Sequence, residues 1–202
     1  MKKEETFMPI YAIDNLIPVI HPSSFIHPSA EIIGDVIIEE NCYIGPNAVL
    51  RGDFGRIYVS AHSNVQDSCV LHSFPNKDCH LEPYSHIGHS AVLHGCFIGA
   101  NSLIGMNAVV MDDVKIGSES IVAASAFVKG KFECEPRSML VGSPAKVLRN
   151  VSDDEIKWKT KGTEEYVALA SRCKKSLREV APLEEIQKER PRFEQSTHTL
   201  KK

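Results

Sequence analysis

F-I-G-A-N-S-L-I-G-M-N-A-V-V-M-D-D-V-K-I-G-S-E-S-I-V-A-A-S-A-F-V, residues 97–128, carries a large aliphatic residue at every sixth position: Ile98, Ile104, Val110, Ile116, Val122 and Val128. The same spacing extends upstream through Leu81, Ile87 and Leu93, through Val59, Val65 and Leu71, and through Ile26, Ile32, Ile38, Ile44 and Leu50. A glycine often follows the aliphatic residue, as at Gly45, Gly88, Gly99, Gly105 and Gly117. A small residue often falls four places after it, as at Ala30, Cys42, Ala48, Cys69, Ala91, Ser102, Ala108, Ser120 and Ala126. A fixed short period of this kind marks a solenoid. The hexapeptide form coils left-handed with three units per coil, its aliphatics stacked inside. Glycines are expected at corners where other residues would be strained. The fold class is therefore mainly β: a left-handed parallel β-helix, with a C-terminal α-helix packed along it.

Residues 1–25 read as a lead-in with Pro9, Pro18 and Pro22, and M-P-I-Y from Met8 makes the first seven residues an extension. The solenoid runs over residues 26–128. Residues 129–183 hold a turn-rich crossing to about residue 150 and then the helix. Ser152 and Glu155 form a capping box, with Asp153 and Asp154 at the positive helix end. Gly162 is expected to interrupt the helix. A second stretch places Tyr166, Ala170, Cys173, Leu177 and Val180 on one face until Pro182 ends it. Residues 184–202 form a polar, loosely held tail.

The chain has 202 residues and a net charge of −3, enough for one domain with a substantial core. No basic block suggests nucleic acid, no apolar run of about 20 residues suggests a membrane span, and no signal peptide is visible. The expected location is the cytoplasm. None of the six cysteines forms a C-x-x-C pair, so buried reduced thiols are expected, with Cys79, in a loop, as the exception.

Three histidines sit inside the repeat. His72 follows Leu71 and His94 follows Leu93, 22 residues apart. Leu71 and Leu81 are ten residues apart instead of six, so four residues of S-F-P-N-K-D-C-H are inserted. Removing them leaves 18, one coil of three hexapeptides. His72 and His94 should then be neighbours in one column, about one strand spacing of 4.8 Å apart. Two imidazoles that close can grip one ion through Zn–N bonds of about 2.0–2.1 Å. Arg51, after Leu50, falls in the same column once the three residues inserted before Val59 are removed. Gln66, after Val65, begins the adjacent column. His89, two positions after Ile87, belongs to a different flank. If all three histidines hold one metal, His89 must come from a neighbouring copy, and a trimer would carry three such sites. Three histidines leave a fourth position open, the arrangement of a catalytic zinc.

L-R-G-D at 50–53, N-V-Q-D at 64–67, V-L-H at 70–72 and G-H-S-A-V-L-H-G at 88–95 resemble the γ-class carbonic anhydrase family. More closely, M-P-I-Y, R-G-D-F-G-R-I, I-V-A-A-S-A-F-V-K, V-G-S-P-A-K and G-T-E-E-Y resemble its phenylacetic acid degradation and carnitine-operon branch. The resemblance covers about residues 8–183. It implies zinc, or iron, held by His72, His89 and His94, in a homotrimer. It implies that Arg51 and Asp53 make salt bridges between subunits and that Gln66 hydrogen-bonds the metal-bound water; in CO2 hydration Gln66 would then orient the developing oxyanion. Asn64 and Asp67 match neighbours of that residue, and Tyr166 matches a helix residue that reaches the site.

Two departures from the strongly active carbonic anhydrases stand out. Phe54, not glutamate, follows R-G-D, and the loop after His72 has only Lys77 and Asp78 as charged residues. Fast CO2 hydration needs a group to carry the proton away, so CO2 hydration through a zinc-bound hydroxide is expected to be weak. The small-molecule substrate is then CO2/bicarbonate or, alternatively, an acyl-CoA thioester of aromatic or carnitine catabolism cleaved at the same metal. A hexapeptide acyltransferase with one histidine as base and no metal is a further alternative, and a scaffold with a vestigial site a fourth. His62, His80 and His86 lie near the set and read as surface or supporting histidines. Trp158 and the phenylalanines read as packing residues.

Overall fold

The structure, a computed structural model, describes residues 9–192. The described chain winds a parallel β-solenoid of about seven coils, capped along one side by a helix. Large aliphatics recur at the predicted positions because each is the inward residue of a short strand. Ile44, Leu50, Leu71, Ile87, Ile104 and Ile116 are all fully buried in one continuous core.

Three faces result. The helix face stacks Phe25–Ile26, Tyr43–Ile44, Asn64–Val65, His86–Ile87, Leu103–Ile104 and Ile121–Val122. The histidine face stacks the first part of Glu31–Ile38, the first part of Val49–Val59, then Val70–His72, Val92–His94, Val109–Val110 and Phe127–Val128. The third face continues the two long strands through Cys79–Leu81, Phe97–Ile98 and Lys115–Ile116. The insertion between Leu50 and Val59 does not loop out. It is absorbed by the 11-residue strand Val49–Val59, which turns the corner opposite a register shift between Gly34 and Val36.

Five expectations need correction. The repeat glycines do not occupy left-handed corners. That conformation falls three places after the aliphatic, at Asn47, Ser68, Ser90, Asn101, Asn107, Glu119 and Ser125, with φ between 55° and 62°. Gly105 serves instead where coils touch, since a Cβ there would stand 2.5 Å from the Ala124 nitrogen. Second, Gly162 does not interrupt the helix, which is continuous over Asp153–Ser176 with the predicted capping box present. Gly162 and Thr163 are buried, and packing overrides the weak glycine propensity. Third, the helix stops before Leu177 and Val180, which are exposed. Ala170 and Cys173 already pack with Phe25 of the first coil, so no further sheet remains to cover. Fourth, Cys79 opens a strand and is fully buried beside Cys96, with their sulfurs 4.0 Å apart. Fifth, Phe54 and Phe74 are exposed rather than packed.

The crossing segment forms a hairpin, Ser138–Gly142 with Ala145–Asn150, that extends the helix face. Arg149 then clamps Glu155 through two bonds of 2.8 and 2.9 Å, anchoring the helix start. Residues 184–192 are exposed. The extension at residues 1–7 and the tail beyond residue 192 lie outside the described residues.

Candidate metal and substrate site

The column arithmetic is realised in the strand register. Leu50 pairs with Leu71, Leu71 with Leu93, and His72 with His94. His72 Nδ1 stands 3.0 Å from His94 Nε2. The outer nitrogen of each ring meets a carboxylate: His72 Nε2 lies 3.0 Å from Asp53 Oδ1, and His94 Nδ1 lies 2.5 Å from Asp112 Oδ1. A carboxylate accepts, so these contacts place the protons on His72 Nε2 and His94 Nδ1. The facing nitrogens then both present lone pairs. That opposition is relieved only by a cation or a proton between them. Two nitrogens on one tetrahedral zinc stand about 3.3 Å apart, close to the observed separation. The pair therefore fits a metal.

Asp53 also accepts from Arg51 Nη1 at 2.9 Å, so within one chain Arg51 and Asp53 pair with each other. Phe54 lies against the His72 ring at 5.5 Å and Phe74 against the His94 ring at 5.0 Å. The pair is thus flanked by two exposed aromatic rings on the histidine face.

His89 lies beyond His86–Ile87 on the helix face, away from the strands that carry His72 and His94. Among the described residues no three potential ligands converge on one point within the chain. His89 nevertheless repeats the wiring of the other two: its Nδ1 lies 2.9 Å from Asp67 Oδ2, leaving Nε2 as the acceptor of a half-exposed ring.

Beside His89 opens a cleft of about 710 Å³ between the helix and the sheet. Leu103, Met106, Ile121, Met139 and Trp158 supply apolar walls, and Gln66, His86 and Tyr166 supply one polar end. Asn64 and Gln66 are buried, and Gln66 Nε2 donates to Asn64 Oδ1 at 3.0 Å and contacts His86 Nε2 at 2.7 Å. Tyr166 stands edge-on to His86 and tilts against Tyr43, each at 5.3 Å. Burial pushes the Tyr166 hydroxyl up to about 12. Lys159 lines the same cleft; its Nζ donates to the Tyr84 carbonyl and to Asn101 Oδ1, and burial pushes it down to about 7.

Nine of these side chains stand out in the sequence (Arg51, Asp53, Asn64, Gln66, Asp67, His72, His89, His94 and Tyr166), whereas Asp112, the bonding role of His86, and Lys159 do not. Asp112 had a legible signal, since it lies 18 residues after His94. Lys159 had none, because an isolated lysine in an amphipathic helix reads as solvent-facing.

A fold of stacked hexapeptides with facing carboxylate-backed histidines defines a class: the chain belongs to the hexapeptide-repeat family of enzymes, in its γ-carbonic anhydrase-like branch. The family model "Bacterial transferase hexapeptide (six repeats)" matches residues 17–52 and 95–130. Within that branch the chain is similar to the carnitine operon protein CaiE of Escherichia coli K12, with 51% identity over 195 residues, covering 96% of this chain and all of that one. The same protein of Salmonella agona is 52% identical over 190 residues, covering 94% of this chain and 96% of that one. Among solved structures, a proposed acetyltransferase from Bacillus cereus superposes with a TM-score of 0.81 at 33% identity, covering 82% of this chain and 96% of that one. A hexapeptide transferase family protein from Anaplasma phagocytophilum gives 0.78 at 34% identity, covering 81% and 96%. No helix among the described residues is long and apolar enough to cross a membrane.

Proposed function

We propose that the protein is a metal-dependent, γ-class carbonic anhydrase-like enzyme whose site is completed between copies of the chain. The observation that carries this reading is the His72–His94 pair, with lone pairs facing at 3.0 Å and both outer nitrogens committed to carboxylates. Zinc suits three imidazoles and an open position, and iron is the second choice. When bound, such a metal supplies a Lewis acid that brings the pKa of a coordinated water toward ~7.

The chain supplies the rest. Asp53, Asp112 and Asp67 fix the tautomers of His72, His94 and His89, as outer partners of metal-binding histidines do. Gln66, held by Asn64, orients the water, and Tyr166 walls the cleft end. A homotrimer brings His89 of one copy to the His72–His94 pair of the next. Support for that assembly comes from the histidine face itself. Val49, Val70, Val92, Val109 and Phe127 form an outward apolar ladder in register beside the pair. A sheet face of that kind needs a cover.

CO2 hydration is expected to be slow, because proton export needs a carrier. Phe54 and Phe74 stand on the two rings, and Lys77 of the loop is committed to Asp113 at 2.6 Å. A second reading, cleavage of an acyl-CoA thioester at the same metal, is favoured by the 710 Å³ cleft, a volume suited to a ligand far larger than CO2. The test is metal analysis of purified protein, followed by stopped-flow CO2 hydration and thiol release from a CoA thioester panel, each with and without chelator. Stoichiometric zinc or iron with chelator-sensitive turnover supports the proposal. A metal-free protein that transfers acyl groups regardless of chelator supports the hexapeptide acyltransferase instead.

A further inference from the structure

We infer that His86 is a positioning residue that fixes which atom of Gln66 faces the cleft, leaving the carbonyl oxygen there as an acceptor. The functional consequence rests on the metal reading above; the hydrogen-bond argument does not. The Thr163 hydroxyl donates to the Lys159 carbonyl at 3.3 Å, which leaves its oxygen to accept from His86 Nδ1–H at 3.3 Å. A neutral imidazole protonated at Nδ1 is an acceptor at Nε2. Gln66 Nε2, 2.7 Å away, donates to it, and its other proton goes to Asn64 Oδ1 at 3.0 Å. Both amide protons of Gln66 are thereby committed within the sheet.

Reversing the amide would set Gln66 Oε1 against Asn64 Oδ1, two acceptors in a buried site, which is costly. One contact is discordant: Asn64 Nδ2 lies 3.2 Å from His86 Nδ1. Turning Asn64 alone would set its Nδ2 against Gln66 Nε2, two donors, so the two amides hold their orientations together. The shorter contact at Nε2 decides the tautomer. Tyr166, edge-on to the ring with an interplanar angle of 88°, fixes the ring plane.

An outward Oε1 accepts a proton-bearing partner. It orients a water or hydroxyl by taking its hydrogen bond, and it offers no donor to an oxyanion. With its carbonyl oxygen outward, Gln66 can take a hydrogen bond from water but cannot donate one to a developing oxyanion. The selectivity that follows is for a ligand atom that donates at this end of the cleft.

The experiment reads the side-chain amide of Gln66 and the ring nitrogens of His86 by 15N NMR on the full-length protein, metal-loaded and metal-depleted. In the wild type, His86 should be protonated at Nδ1 and bare at Nε2, with both Gln66 amide protons slow to exchange. His86→Leu should speed their exchange about tenfold, and His86→Gln, which restores an acceptor, should slow it again. A wild-type His86 protonated at Nε2 overturns the inference without any variant. So do Gln66 protons indifferent to His86→Leu. Metal content measured on the same samples separates the two claims: a wild type without metal sinks the proposed function and leaves the amide result standing.

Discussion

The upper coils, Ile98–Val128, and the middle coils, Leu50–Leu93, are built from one repeat and differ only in its interruptions. In the upper coils the six-residue period never breaks, and every inward aliphatic is fully buried. The outward positions hold Val109 and Phe127, and none of the metal-site histidines. In the middle coils the period breaks after Leu50 and after Leu71. Those breaks carry Asp53 and Phe54 in one case and Phe74 in the other, all gathered on His72 or His94. The repeat stacks a scaffold, and its interruptions deliver the chemistry to one edge of it. The upper coils contribute Asp112 behind His94 and apolar walls to the cleft, but no candidate metal ligand.

That division can be broken in either half. His72→Ala or His94→Ala should abolish metal binding and lower any metal-dependent turnover by about a thousandfold or more, as loss of a ligand to a Lewis acid removes several kcal/mol. Metal analysis and turnover check this, and the thermal melt should stay cooperative. In the upper coils, Ile104→Ala should cost about 2–5 kcal/mol of stability while leaving metal stoichiometry intact. Denaturant unfolding beside metal analysis decides it; lost metal in a folded Ile104→Ala protein would erase the distinction between the halves. Asp112→Asn sits between these extremes. It removes the acceptor that sets the His94 tautomer and should weaken metal affinity about 10–100-fold without unfolding the protein. Competition with a chromophoric chelator measures it.

The smallest effect belongs to Lys159. The folded side chain keeps its proton only below about pH 7, whereas an unfolded lysine keeps it to about 10.4. Unfolding therefore takes up a proton between those values, and this group's contribution to stability rises with pH across that window. Lys159→Met should flatten the rise. Unfolding midpoints at pH 7.5 and 9.5, compared with the wild type, test the slope.

Much of this was legible in the sequence because a solenoid makes distance a matter of counting. Subtracting the insertions put His72 over His94 and moved His89 to another flank, and the register agrees. Counting failed where the determinant was lateral. The left-handed corner falls at residues as unlike as Asn107, Glu119 and Ser125, so no single residue type announces it, whereas the glycines that do stand out respond to the neighbouring coil. Gly162 looked like a break because propensity is local and the sheet beneath it is not. Aspartate is common at turns, so nothing but its 18-residue offset from His94 distinguishes Asp112 in the sequence. The cleft, with Lys159 in its wall, forms only where helix meets sheet, and no periodicity in either element encodes that meeting.

Whether the site is shared between copies can be read by mixing two variants. His72→Ala chains keep His89, and His89→Ala chains keep the His72–His94 pair. Each variant alone should hold no metal. Co-refolded in equal amounts, they should recover about one-quarter of the wild-type metal, the fraction of subunit contacts that join two intact halves in a cyclic trimer. No recovery from the mixture, or full metal in His89→Ala alone, would contradict the account.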